Sequence, residues 1–122
     1  AKADPNSVDV LFNLGLAYSE TGQFDEAIIR LKNVVRLAPS HAHAWTAIGV
    51  AYQRMGRPDQ SIEPFEKAVA VAPDDGHALR NLGGSLLARG RAKDAIPILR
   101  RALAALPDDF HSRYGLAQAL LD

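Results

Sequence analysis

The chain has no cysteine among its 122 residues, so neither disulfides nor thiolate–metal sites can stabilise it. That absence is compatible with any compartment and selects none. Charge of one sign is also missing, since 14 Lys and Arg balance 14 Asp and Glu. Without a global field, neither nucleic acid nor an anionic membrane surface is expected as a partner. No apolar run approaches the roughly 18 residues of a membrane span, and no charged-then-apolar segment opens the chain. The sequence reads as a soluble protein or a soluble piece of one, and 48% hydrophobic content is ample for a packed core in one domain.

What the chain does have is a period of 34 residues without an insertion. Gly15, Gly49 and Gly83 fall one period apart, as do Gly22, Gly56 and Gly90, and Pro5, Pro39, Pro73 and Pro107. Such a period marks a helix–turn–helix solenoid, in which each unit buries its apolar face on the next. Counting from Val8, the units span 8–41, 42–75 and 76–109, with an incomplete one at 110–122. The residue after each proline is Asn6, Ser40, Asp74 or Asp108, types that accept from the free N–H groups of a helix start, so each is expected as an N-cap. Gly22, Gly56 and Gly90 are expected to close the first helix of each unit in the left-handed conformation.

Between these signals apolar residues recur at helical spacing. First helices carry Leu11, Leu14, Gly15 and Tyr18, then Trp45, Ile48, Gly49 and Tyr52, then Leu79, Leu82, Gly83 and Leu86. The matching sets in second helices are Ala27, Leu31 and Val34, then Ser61, Phe65 and Ala68, then Ala95, Leu99 and Ala102. Small residues alternate with large ones, as close antiparallel packing requires. Pro64 and Pro97 fall within the first two turns of second helices, where a bend without a break is expected.

No enzyme motif survives inspection. Gly83-Gly84-Ser85 begins like a nucleophile elbow, but Leu87 stands where the last glycine belongs and no strand precedes it. The pairs Asp74-Asp75 and Asp108-Asp109 are explained by helix starts, where acids cap and favour the helix dipole. His43, His77 and His111 share one position, with His41 two residues before the first. Stacked helices stand about 8–10 Å apart, too far for two imidazoles to reach one zinc at about 2.1 Å without other ligands, so no metal is expected. The column is left as either exposed first-turn residues or a pH-dependent element of partner binding. No cofactor is expected.

These positions resemble the tetratricopeptide repeat, whose pattern is Trp-x2-Leu-Gly-x2-Tyr followed by Ala, a large apolar residue, Ala and Pro. The middle unit has Trp45, Gly49, Tyr52, Phe65, Ala68 and Pro73 in register, with Ile48 for leucine and Ser61 for alanine. Leu11 and Leu79 stand where tryptophan is usual, and Leu86 where tyrosine is. The resemblance implies an all-α, right-handed α-solenoid whose first helices line a concave groove for an extended or helical peptide. Carried over by position, the groove is lined by Asp9, Phe12, Asn13 and Leu16, then His43, Thr46, Ala47 and Val50. His77, Arg80, Asn81 and Gly84 continue it, and His111, Tyr114 and Gln118 close it. Phe12, Leu16, Val50 and Tyr114 would anchor apolar groups, while Ala47 and Gly84 leave room.

Asn13 and Asn81 share a position similar to the asparagine ladder of O-linked N-acetylglucosamine transferases, here interrupted by Ala47 and Gly115. An amide there would donate to and accept from a peptide backbone. The clamp by which some relatives bind acidic chaperone tails is not matched, because its positions carry Phe12, Leu16, Ala47, His77 and Asn81. Charge is uneven between units. Three basic and four acidic residues give 8–41 a net −1, three and five give 42–75 −2, and six and three give 76–109 +3. Arg89, Arg91, Lys93, Arg100 and Arg101 supply most of that excess, as a solvated face or a secondary docking patch.

Residues 110–122 supply one helix, read either as a solvated capping helix, with Arg113 at the usually aromatic position, or as a partial repeat, with Ala1-Lys2-Ala3 and Asp122 as cut edges of a longer array and Pro5 where a preceding unit would end. The open end predicts self-association. The resulting expectation is a non-catalytic protein–protein interaction module, with two alternatives: the substrate-recruiting part of a longer enzyme such as a glycosyltransferase, or a self-assembling scaffold.

Overall fold

A computed structural model describes residues 7–121, and every regular element among them is an α-helix. In chain order these are α1 (Val8–Glu20), α2 (Phe24–Leu37), α3 (Ala42–Arg54), α4 (Pro58–Val71), α5 (Gly76–Ala88), α6 (Ala92–Ala105) and α7 (Phe110–Leu121). Each packs on its sequence neighbours, and the first helices also touch one another in succession, α1 on α3, α3 on α5 and α5 on α7. The result is an all-α repeat solenoid.

Helix starts differ from the expectation by one residue. His41, Asp75 and Asp109 cap α3, α5 and α7, in place of Ser40, Asp74 and Asp108, and Ser7 caps α1. Asn6 lies outside the described residues. The cause is a turn closed by backbone bonds from His41 to Ala38 (3.0 Å), Asp75 to Ala72 (3.1 Å) and Asp109 to Leu106 (3.0 Å). Proline, with φ preset, takes the second place in that turn, the next residue takes the third, and capping passes to the fourth. At α3 the cap is an imidazole: His41 Nδ1 accepts from the Ala44 N–H at 3.1 Å.

Gly22, Gly56 and Gly90 have φ of 80°, 76° and 74°, and each is followed by an N–H that reaches back across the turn. Gln23 donates to Tyr18 O, Arg57 to Tyr52 O and Arg91 to Leu86 O, at 2.8–2.9 Å. This closure satisfies carbonyls that a helix end otherwise leaves free. It turns each second helix back on the first.

The second-helix set Ala27, Leu31, Val34, Ser61, Phe65, Ala68, Ala95, Leu99 and Ala102 is 0–1% exposed throughout. Its large members press on the small ones opposite. A Cβ on Gly15 would stand 2.7 Å from Leu31 Cγ, and one on Gly49 or Gly83 would overlap Phe65 or Leu99. Leu14 departs from its set, being 37% exposed where Ile48 and Leu82 are 1% and 4%. Ile48 and Leu82 are buried in clusters with residues of α2 and α4, the second helices of the preceding units, whereas no described helix precedes α1. Both Pro64 and Pro97 sit inside unbroken helices.

Two polar details tie the units together. Pro39 O accepts from Trp45 Nε1 at 2.8 Å, and Pro107 O accepts from Arg113 Nη2 at 2.9 Å, the same repeat position using a different donor. Leu79 cannot donate there, and Arg101 Nη2 from α6 reaches Pro73 O instead, at 3.1 Å. Inside the stack, Ser61 Oγ bonds Pro58 O at 2.7 Å, Ser85 Oγ bonds Ser61 Oγ at 2.7 Å, and Gln53 Nε2 donates to Ser85 Oγ at 3.0 Å. Since a carbonyl only accepts, the Ser61 hydrogen points to Pro58 and Ser85 must donate to Ser61. Ser85 is a buried strut of α5, with no exposed hydroxyl.

Candidate functional site

Two clefts open along the first helices. Between α1 and α3 a cleft of about 460 Å³ is lined by Phe12, Leu16, His43, Thr46, Ala47 and Val50, together with Ser19, Glu20 and Arg54. Its walls are mostly apolar, and Arg54 also donates to Ser19 O at 3.3 Å across the two helices. Phe12 is held from the side by the His41 ring, 4.7 Å away between centroids. Between α5 and α7 a cleft of about 590 Å³ is lined by Arg80, Asn81, Gly84, His111, Tyr114 and Gln118, joined by Gln53, Leu87, Ala88, Leu99 and Gly115. Three amides, a phenol, an imidazole and a guanidinium join the apolar groups there, and no acid lines it.

Local geometry explains the second cleft. Gly84 has no atom within 4 Å of where a Cβ would stand, so it opens the wall of α5. Gly115, whose Cβ would stand 3.3 Å from Leu87 Cδ1, brings α7 close without closing the space. Arg80 is anchored, its Nη1 lying 3.2 Å from Asp109 Oδ1. Asp109 also accepts from the Ser112 hydroxyl and from the Ser112 N–H at 2.9 Å. The Ser112 hydroxyl, then its N–H and the Arg80 guanidinium, hold the Asp109 carboxyl below the ordinary carboxylate value, outweighing the opposing effect of burial. One carboxylate thus caps α7 and fixes a wall of the cleft.

A sequence profile of the tetratricopeptide repeat matches residues 46–110 and 85–122, and a second profile of the same repeat matches 1–29. The chain belongs to the tetratricopeptide repeat family. A crystal structure of MamA superposes with a TM-score of 0.90 at 25% identity, over 97% of this chain and 69% of that one. The first tetratricopeptide domain of Spaghetti (RPAP3), solved with the HSP90 peptide SRMEEVD, gives 0.89 at 23% identity over 98% and 94%. The Arabidopsis OM64 domain gives 0.86 at 18% identity over 93% and 94%, a likeness of fold. Among curated proteins no sequence matches this chain. Like tetratricopeptide repeat proteins generally, it is a protein-interaction module, and domains of this family are generally non-catalytic. No helix among the described residues is long and apolar enough to cross a membrane.

Within this tetratricopeptide frame the groove positions divide. Twelve of the fifteen residues taken from the family pattern line one or other of the two clefts. Asp9 and Asn13 are exposed on α1 and line neither. His77 lines a separate hollow against Leu106, Pro107 and Asp109 at the turn between α6 and α7. The three column histidines are therefore spread over three sites, and no group of three His, Asp or Glu side chains among the described residues could hold a metal. Beyond Leu99 and Gly115, the cleft residues that sequence reasoning missed, Ser19, Glu20, Gln53, Arg54, Leu87 and Ala88, share one explanation. Each stands three or four residues beyond the last groove position of its helix, so the helical period itself pointed to them.

Proposed function

We propose that residues 8–121 act as one domain that binds a segment of another protein along its first helices, without catalysing a reaction. The observation that carries this reading is the pairing of two clefts on one face, one apolar and one rich in amides, walled by residues that vary between units. Phe12, Leu16 and Val50 would take apolar side chains of the segment. Asn81, Gln118 and Gln53 would bond its backbone, which needs donors and acceptors together. Asn13 would add to this from the exposed edge of α1. Gly84 would let the backbone of the segment approach α5. Balanced net charge supports a protein partner over nucleic acid or membrane.

The test is selection of peptides from a displayed random library on the wild-type chain, followed by titration calorimetry with the selected peptide. Phe12→Ala with Val50→Ala should weaken binding about tenfold or more, as loss of buried anchors does. The pair Asn13→Ala, Asn81→Ala should weaken it as well, most of the loss coming from Asn81. Unchanged affinity in both double variants would contradict the reading.

A further inference from the structure

The outward faces of the second helices carry a pattern that the groove does not use. In α4 and α6 the buried stripes are Ser61-Phe65-Ala68 and Ala95-Leu99-Ala102. Two residues along a helix is a rotation of about 200°, so the stripes displaced by two residues point away from the first helices. On α4 that outward stripe is Asp59, Glu63, Glu66 and Ala70, and on α6 it is Lys93, Pro97, Arg100 and Ala104, all exposed. Corresponding members are 34 residues apart, one full repeat, and so take equivalent places on α4 and α6. Asp59 is therefore the repeat counterpart of Lys93, and Glu66 of Arg100, acid in one unit and base in the next.

None of these five charged side chains is in an ion pair among the described residues. Three nearby basic groups are otherwise engaged, while Arg57 and Lys67, beside and on α4, are in no ion pair among the described residues. Arg91 pairs with Asp94 at 2.9 Å, Arg101 is held by Pro73 O, and Lys32, which borders the crevice beside Asp59 and Glu63, lies over the Tyr52 ring at 6.0 Å. The α2 stripe, Asp25, Ile29, Lys32 and Arg36, has no such single sign.

We propose that this face binds a second copy of the chain, about a two-fold axis that runs parallel to the helices between α4 and α6. That axis lays α4 of each copy on α6 of the other with their directions and heights matched. Asp59 then meets Lys93 of the second copy and Glu66 meets its Arg100, and each contact occurs twice. Pro97, Ala70 and Ala104 are short, so the helices can approach and Glu63 can reach toward Arg100. An axis at right angles to the helices would set α4 on α4, acid on acid, which like-charge repulsion opposes. Because the pairs are exposed, the association is weak and screened by salt.

Sedimentation equilibrium of the whole chain tests this. Raising salt from about 20 mM to about 500 mM should weaken the dimer at least tenfold, since screening then acts within a few ångströms. Asp59→Lys with Glu66→Lys should leave a monomer, as should Lys93→Glu with Arg100→Glu, while an equal mixture of the two forms a heterodimer. The quadruple variant, whose net charge equals that of the wild type, should regain the homodimer, which separates matched pairing from bulk attraction. Circular dichroism melts check that all variants fold. A wild type that stays monomeric at low salt, a dimer indifferent to these substitutions, or one abolished by Leu121→Ser on α7 would overturn the proposal.

Discussion

At the scale of single residues, glycines at different positions make opposite demands. Gly49 faces Phe65 with no room for a methyl group, whereas Gly84 is exposed in the interior of α5 with open space beside it. Gly49→Ala should cost about 3 kcal/mol through overpacking. Gly84→Ala should add about 0.5–1 kcal/mol, because alanine has the higher helix propensity, while weakening groove binding. Thermal melts compared with peptide affinity check both. Gly49 could be read from the repeat, as the small member of a packing pair. That Gly84 leaves room could be read from its groove position too, but not the extent of that room, which depends on how far α7 stands from α5. Asp109 gives a second prediction. Its folded-state pKa is depressed, so the stability it contributes is full above the ordinary value of 3.8 and is lost as pH falls through the folded value. Asp109→Ala should cost about 1 kcal/mol at neutral pH, as loss of an N-cap does. The gap between its melting temperature and that of the wild type should narrow below about pH 4.

At the scale of elements, each helix was predictable in kind and position from the 34-residue ruler, while its first residue was not. The ruler placed Ser40, Asp74 and Asp108 at helix starts. The proline turn moved capping to His41, Asp75 and Asp109, a shift set by backbone hydrogen bonds that side-chain type does not encode. Ser61 shows a different limit. It stands where the family has alanine, yet it joins α3, α4 and α5 through Gln53, Ser85 and Pro58 O. Only Ser85, two-thirds of a unit away in sequence, makes sense of it. Removing one hydroxyl leaves a buried partner unsatisfied, so Ser61→Ala or Ser85→Ala alone should cost about 1–3 kcal/mol. The double variant should cost less than the sum of the singles, and a double-mutant cycle in chemical denaturation would read the coupling. Strict additivity would mean that the chain of bonds is not cooperative.

At the scale of the whole molecule, contacts run from each unit to the next, so the architecture is close to one-dimensional and the repeat determines most of it. The surfaces that differ between units are what the period leaves open. Phe12, Thr46, Arg80 and Tyr114 occupy one repeat position and build chemically different walls, mostly apolar between α1 and α3 and mixed polar and apolar between α5 and α7. Their identities were legible in the sequence. Their division into two clefts was not, because it follows from the spacing of non-adjacent helices. The proposed groove is tested most directly by titrating an isotopically labelled chain with a library-selected peptide and mapping amide shifts by nuclear magnetic resonance. The account predicts the largest shifts at Val50, Asn81, Gly84 and Gln118, with the outward faces of α2, α4 and α6 unperturbed; shifts confined to those outward faces would contradict it.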